Sequence, residues 1–152
     1  MPPCEACAIS TSDKRRRADV MVDTSVAIAL ALADHEGHVS TMAAVEGERL
    51  GLAGHAWFET YSVLTRLPPG ARRSPGDVLI LLEHDFPATR FLDEPTATRL
   101  RQDLARLGIA GGAVYDALVA AAAVHHGMKL LSRDRRAVAV YEALGADVTL
   151  VS

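Results

Sequence analysis

The sequence predicts an α/β domain, with three α/β/α layers around a mainly parallel central sheet of about five strands. Three observations predict it. From Val20 onward, short apolar runs alternate with segments of helical period. Strands that alternate with helices pair in parallel through right-handed crossovers. The 152 residues are 49% hydrophobic and 23% charged, which suits one globular domain rather than a disordered chain.

Val20–Asp23 reads as the first strand and Thr24–Ala33 as a helix after it. Val39–Leu50 has helical character, and Gly51–Gly54 is a short second strand. Ala56–Arg66 is a helix, ended by Pro68-Pro69-Gly70. Ser74-Pro75-Gly76-Asp77 is a strong helix start: serine caps, proline takes the first helical position, and the acid completes the box. That helix runs to about His84. Thr89–Leu92 reads as a third strand. Pro95 opens a helix that Gly108 closes, with Ala97, Leu100, Leu104 and Leu107 as its apolar stripe. Gly111-Gly112 precedes another helix, stopped at Gly127. Lys129–Ser132 is a strand, Arg135–Leu144 a helix and Val148–Val151 the last strand.

Residues 1–18 differ from the rest. They are polar, lack a period and hold both cysteines and the Lys14–Arg17 charge run. They read as a flexible N-terminal extension to a domain spanning 19–152, and Met21 is a plausible alternative start. Cys4 and Cys7 supply only two ligands and lack a βαβ context, so neither a closed zinc site nor a redox motif follows. No apolar run reaches the roughly 18 residues of a membrane span, and no secretory signal is visible. The expectation is a cytoplasmic protein. A net charge of −3 argues against the broad basic face of a DNA binder, though not against a local basic rim. No P-loop or dinucleotide fingerprint follows the first strand.

In a parallel sheet, function sits beyond the strand carboxyl ends, at the switch point of the topology. Asp23 ends the first strand and Asp134 follows Lys129–Ser132, so both stand on that edge. Asp116 and Glu59 are expected in the first turns of helices that start there. A lone acid near a helix start is usually a cap. Glu59 and Asp116 lie in apolar helices, where a carboxylate is costly unless it faces water or a cation. Four converging carboxylates repel one another, and a divalent cation relieves that. An all-oxygen ligand set favours magnesium or manganese over zinc.

Arg133, Arg135 and Arg136 flank Asp134 and are candidate phosphate contacts. Tyr115, beside Asp116, is a candidate for stacking on a base. Trp57, Phe58 and Tyr61 read as core or interface.

Four segments carry a resemblance: Val-Asp-Thr-Ser-Val at 22–26, Glu-Thr-Tyr-Ser-Val-Leu-Thr-Arg-Leu-Pro at 59–68, Tyr-Asp-Ala-Leu-Val-Ala-Ala-Ala-Ala at 115–123 and Leu-Leu-Ser-Arg-Asp-Arg-Arg at 130–136. In this order and spacing they resemble a PIN-domain ribonuclease, specifically a VapC-type toxin of a bacterial toxin–antitoxin pair. The resemblance runs from about residue 20 to the end. Ser132 stands where the family often has threonine, and the extension before the first strand is unusual. The resemblance implies a PIN-like fold with Asp23, Glu59, Asp116 and Asp134 as an acidic quartet that binds magnesium or manganese. Ser25 and Ser132 would be its supporting hydroxyls. It implies cleavage of single-stranded regions of structured RNA, transfer or ribosomal, and inhibition by a cognate VapB-type antitoxin. It also implies a homodimer or a toxin–antitoxin hetero-oligomer, with no membrane partner. The alternatives are a catalytically silent RNA- or protein-binding module, or a magnesium-dependent phosphatase or receiver-type domain. The phosphatase would want an acid where Ser25 stands, and the receiver a lysine at the other end of the strand that Lys129 begins.

Overall fold

The computed structural model describes residues 18–152. The expected N-terminal extension and its two cysteines lie outside the described residues. Four strands form one sheet: β1 (Asp19–Val22), β2 (Arg49–Leu52), β3 (Lys129–Ser132) and β4 (Val148–Leu150). Seven helices join them among the described residues: α1 (Thr24–Ala31), α2 (His38–Ala44), α3 (His55–Thr65), α4 (Pro75–Asp85), α5 (Glu94–Leu107), α6 (Ala113–His125) and α7 (Val138–Ala143).

The sheet order is β2-β1-β3-β4, with every pair parallel. The chain leaves β1 towards β2 on one side and later crosses back to β3 on the other. Right-handed crossovers in opposite directions put the two sets of helices on opposite faces. The direction reverses between β1 and β3, so the crevice beyond their carboxyl ends is the switch point.

Strands covered on both faces read as continuous apolar runs. Met21, Val22, Leu52 and Leu130 are accordingly buried with Val26, Ala56, Leu64 and Tyr141 in the main core. In α6, Ala120, Ala122 and Ala123 join that core, while Ala117 and Ala121 pack with Leu100 of α5 in a second cluster. Small side chains on successive faces let α6 serve both. Local signals set the helix ends. Ser74 caps α4 by accepting the Asp77 amide at 3.1 Å, and its hydroxyl donates to the Asp77 carboxylate at 2.7 Å. Gly108 ends α5 in a left-handed conformation, φ 66°. No helix among the described residues is long and apolar enough to cross a membrane.

The third expected strand, Thr89–Leu92, does not form, which leaves four strands rather than about five. The chain only brushes β2, through single bridges at Pro87 and Arg90. Pro87 has no amide to donate. Between the two bridges, the Thr89 hydroxyl accepts the Leu52 amide at 2.9 Å, so a side chain replaces a ladder rung. β2 itself starts at Arg49, two residues before the expected Gly51, and α2 stops at Ala44. A turn at Gly47, φ 79°, separates them.

This contact leaves no room beside Gly51. A Cβ there would overlap the Ala88 carbonyl and the Thr89 amide, both backbone. Gly51→Ala is therefore expected to cost about 2 kcal/mol or more through overpacking. A thermal melt should record a fall of about 5 °C or more. An unchanged melting temperature would mean that the 87–90 segment is free to move away from β2.

Candidate active site

Asp23 follows β1 and is 4% exposed. Its Oδ1 accepts the Val26 amide at 3.1 Å, capping α1, and also the Ser25 hydroxyl. Its Oδ2 accepts the hydroxyls of Ser132 and Tyr141, the latter at 3.0 Å. A carboxylate has about four lone-pair positions, and here protein donors meet them all. The two serines also accept: Ser25 Oγ takes the Arg133 amide at 2.8 Å and Ser132 Oγ the Asp134 amide at 3.0 Å. The turn after β3 is thus hung on the carboxylate after β1.

Asp134 sits in that turn. Its Oδ1 accepts the Arg136 amide at 2.9 Å, and both its oxygens face the Arg136 guanidinium at 3.2 and 3.3 Å. The Arg136 contacts hold the Asp134 carboxyl below the usual carboxylate range. Asp116 lies in the first turn of α6. Glu59 is the fifth residue of α3, so it lies in the second turn rather than the expected first. The Thr24 hydroxyl donates to Glu59 at 2.8 Å.

The charges of the other three acids reach Asp116. Burial raises its carboxyl above the ordinary range, and the charges of Asp134, Asp23 and Glu59 raise it further. Among the described residues, no three His, Cys, Asp or Glu side chains stand close enough to clasp an ion. The donor chemistry nonetheless suits a hard divalent cation. Every candidate ligand is a carboxylate oxygen, and Asp116 carries negative charge that its neighbours oppose.

The three candidate arginines point to different places. The Arg133 guanidinium turns inward, donating to Thr41 Oγ1 at 3.1 Å and the Ser152 carbonyl at 2.9 Å, with Ser40 at 3.4 Å. It packs over Gly37, where any Cβ would overlap it. That geometry ties α2 and the C-terminus to the site and does not suit a phosphate contact. Arg135 is exposed, and Arg136 is exposed beside Asp134.

Tyr141 and Thr24 are site residues that sequence reasoning missed. Tyr141 is 1% exposed, and burial with the neighbouring Asp23 charge drives its hydroxyl far above the ordinary tyrosine range. A tyrosine directly after the apolar run Val138–Val140 of α7 was the available signal, because a buried phenol needs a partner.

A parallel sheet of order β2-β1-β3-β4, with acids beyond its strand carboxyl ends, is the arrangement expected of the PIN family. The model of that family, described as PIN domain, matches residues 20–143, and the chain belongs to the family. Within it, the chain is of the VapC type. It is 46% identical over 131 residues to Ribonuclease VapC27 of Mycobacterium tuberculosis, covering 86% of this chain and 96% of that protein. It is 44% identical over 132 residues to Ribonuclease VapC40 of the same species, covering 86% and 97%. Among solved structures, the fold matches a chain of FitAB bound to an IR36 DNA fragment. The TM-score is 0.60 at 20% identity, covering 86% of this chain and 94% of that one.

Proposed function

We propose that this protein is a magnesium- or manganese-dependent endoribonuclease and the toxin of a toxin–antitoxin pair. Its substrate is a single-stranded region of structured RNA, transfer or ribosomal, in the cytoplasm. One observation carries the reading: Asp116 is partly buried against the charges of Asp134, Asp23 and Glu59 at the switch point of the sheet. The similarity to two VapC ribonucleases supports it.

Asp116 and Asp134 would hold the cation, with Glu59 beside them, and Asp23 would join them once one of its hydroxyl donors turns away to free a lone pair. The bound cation supplies an activated water and stabilises charge developing on the phosphate oxygens. The protein's own part is orientation. Ser25, Ser132 and Tyr141 fix the plane of the Asp23 carboxylate. Thr24 holds Glu59. Arg136 must release Asp134 for it to turn inward, and its exposed guanidinium can then take a phosphate of the RNA, with Arg135 alongside.

The partner is a VapB-type antitoxin. A guanidinium already rests on Asp134, so a basic antitoxin side chain has a ready mode of bidentate pairing there. Phe58, Leu79, Ile80 and Phe91 are exposed apolar side chains around α3 and α4 and favour a protein interface, in a homodimer or a toxin–antitoxin assembly.

The test is cleavage of single-stranded RNA by protein freed of its antitoxin. With manganese or magnesium, cleavage is expected; with excess chelator, none. Undiminished cleavage without metal sinks the mechanism. No cleavage under any metal supports the binding-module alternative.

A further inference from the structure

His55 and Tyr115 form a stacked aromatic pair, with ring centroids 4.9 Å apart and planes 11° from parallel. His55 is the first residue of α3, and Tyr115 lies in the first turn of α6. The same two helices carry Glu59 and Asp116. His55 precedes Glu59 by four residues, so the two share a helix face, with Cβ atoms about 5–6 Å apart. Tyr115 is the immediate neighbour of Asp116. The pair therefore lies on the rim of the acidic crevice.

Packing does not account for Tyr115. It is 54% exposed and joins neither apolar cluster of the core. The other strongly exposed aromatics differ in this respect. Phe58 and Phe91 pack on each other at 5.9 Å, and Phe58 meets Trp57 edge-on. Among the described residues, Tyr115 stacks on His55 through one ring face and keeps about half of its surface exposed.

We propose that the His55–Tyr115 pair is a base-stacking platform for the nucleotide next to the scissile phosphate. The proposal rests on the ribonuclease reading and adds the group that positions the RNA. A nucleobase is the occupant because its π-face suits an open ring face and its phosphate would lie over the adjoining acids. Stacking is sequence-tolerant, since every base has a π-face. His55 backs the tyrosine and fixes its plane, so the platform is formed before RNA arrives.

The test has two arms. In the first, wild type and Tyr115→Ala are compared on one RNA oligonucleotide, intact and with an abasic residue at each position flanking the cleavage site. Loss of a base–aromatic stack is expected to raise KM about tenfold for Tyr115→Ala on intact RNA, with little change in kcat. One abasic substrate should lose a similar factor with wild type and little more with the variant. Tyr115→Phe should restore the wild-type KM, and His55→Ala should shift it in the same direction as Tyr115→Ala. An unchanged KM, or an equal loss on intact and abasic RNA, overturns the platform. The second arm measures binding in chelator to single-stranded RNA carrying 2-aminopurine. Wild type should quench the fluorescence, and Tyr115→Ala should bind about tenfold more weakly. Equal binding by the two proteins overturns the platform even if cleavage is seen. Weakened binding by the variant, with no cleavage by wild type under any metal, supports the platform and overturns the ribonuclease reading alone.

Discussion

Asp116→Asn is expected to lose RNA cleavage by about a hundredfold or more while the metal-free domain stays as stable as the parent or becomes more stable. The activity loss follows from removing the carboxylate on which burial and the charges of Asp134, Asp23 and Glu59 converge. The stability effect has the opposite sign to that of an ordinary helix-start acid. Such an acid favours the helix dipole, and removing it costs about 0.3–1 kcal/mol. Asp116 instead has a carboxyl raised above its unfolded value, so the folded state binds its proton more readily. Stability from this group is therefore present at low pH. It falls as pH rises from the ordinary carboxylate value, about 3.9, through the raised folded value. Asparagine has no such titration. Melting curves in chelator from pH 3 to pH 8 should coincide at the acid end and separate in the variant's favour above it. Manganese should raise the parent's melting temperature more than the variant's, because it binds the folded parent better. An active and destabilised variant would remove Asp116 from the site.

How far the sequence disclosed this arrangement follows from the range of each interaction. Asp23 and Asp134 were placed from local pattern alone, because Asp23 directly follows one four-residue strand, Asp134 stands two residues beyond another, and parallel strands share one functional edge. The caps of α4 and α5 were similarly local, since Ser74 and Gly108 act within a few residues of themselves. Direction was not legible. Arg133 adjoins Asp134 in sequence, yet its guanidinium turns towards α2 because Gly37 leaves the space. Nor was long-range partnership legible. Tyr141 meets Asp23 across 118 residues, and Thr24 meets Glu59 across 35. No period or spacing encodes such pairings, which arise only when helices pack. The missing strand at 89–92 is a similar case: its residues have strand character, but Pro87 and the Thr89 hydroxyl disrupt the ladder.

Asp23→Ala is expected to fail in both respects, losing activity and destabilising the domain. Unlike Asp116, Asp23 is fully engaged by protein donors. Truncation removes the cap of α1, worth about 1 kcal/mol. It also leaves the hydroxyls of Ser25, Ser132 and Tyr141 without their acceptor, in a site where Ser132 is 0% and Tyr141 1% exposed. Each orphaned buried donor costs about 1–3 kcal/mol, less whatever the hydroxyls regain by rotating. A net loss of about 3 kcal/mol or more is the expectation, or about 10 °C in a thermal melt. Asp23→Asn separates structure from chemistry. Its amide oxygen can still cap α1, and its NH2 can donate to the Ser132 or Tyr141 hydroxyl once that hydroxyl rotates to accept. It should therefore cost only about 1 kcal/mol and still lack cleavage. The two carboxylates thus predict opposite responses to metal-free melting, with Asp116→Asn at or above the parent and Asp23→Ala well below it. Circular-dichroism melts of the three variants and the parent in chelator, paired with RNA cleavage in manganese, read both quantities. An Asp23→Ala domain as stable as the parent would show that the four-donor network does not hold the turn after β3. Cleavage by Asp23→Asn would show that the charge on Asp23 is not required.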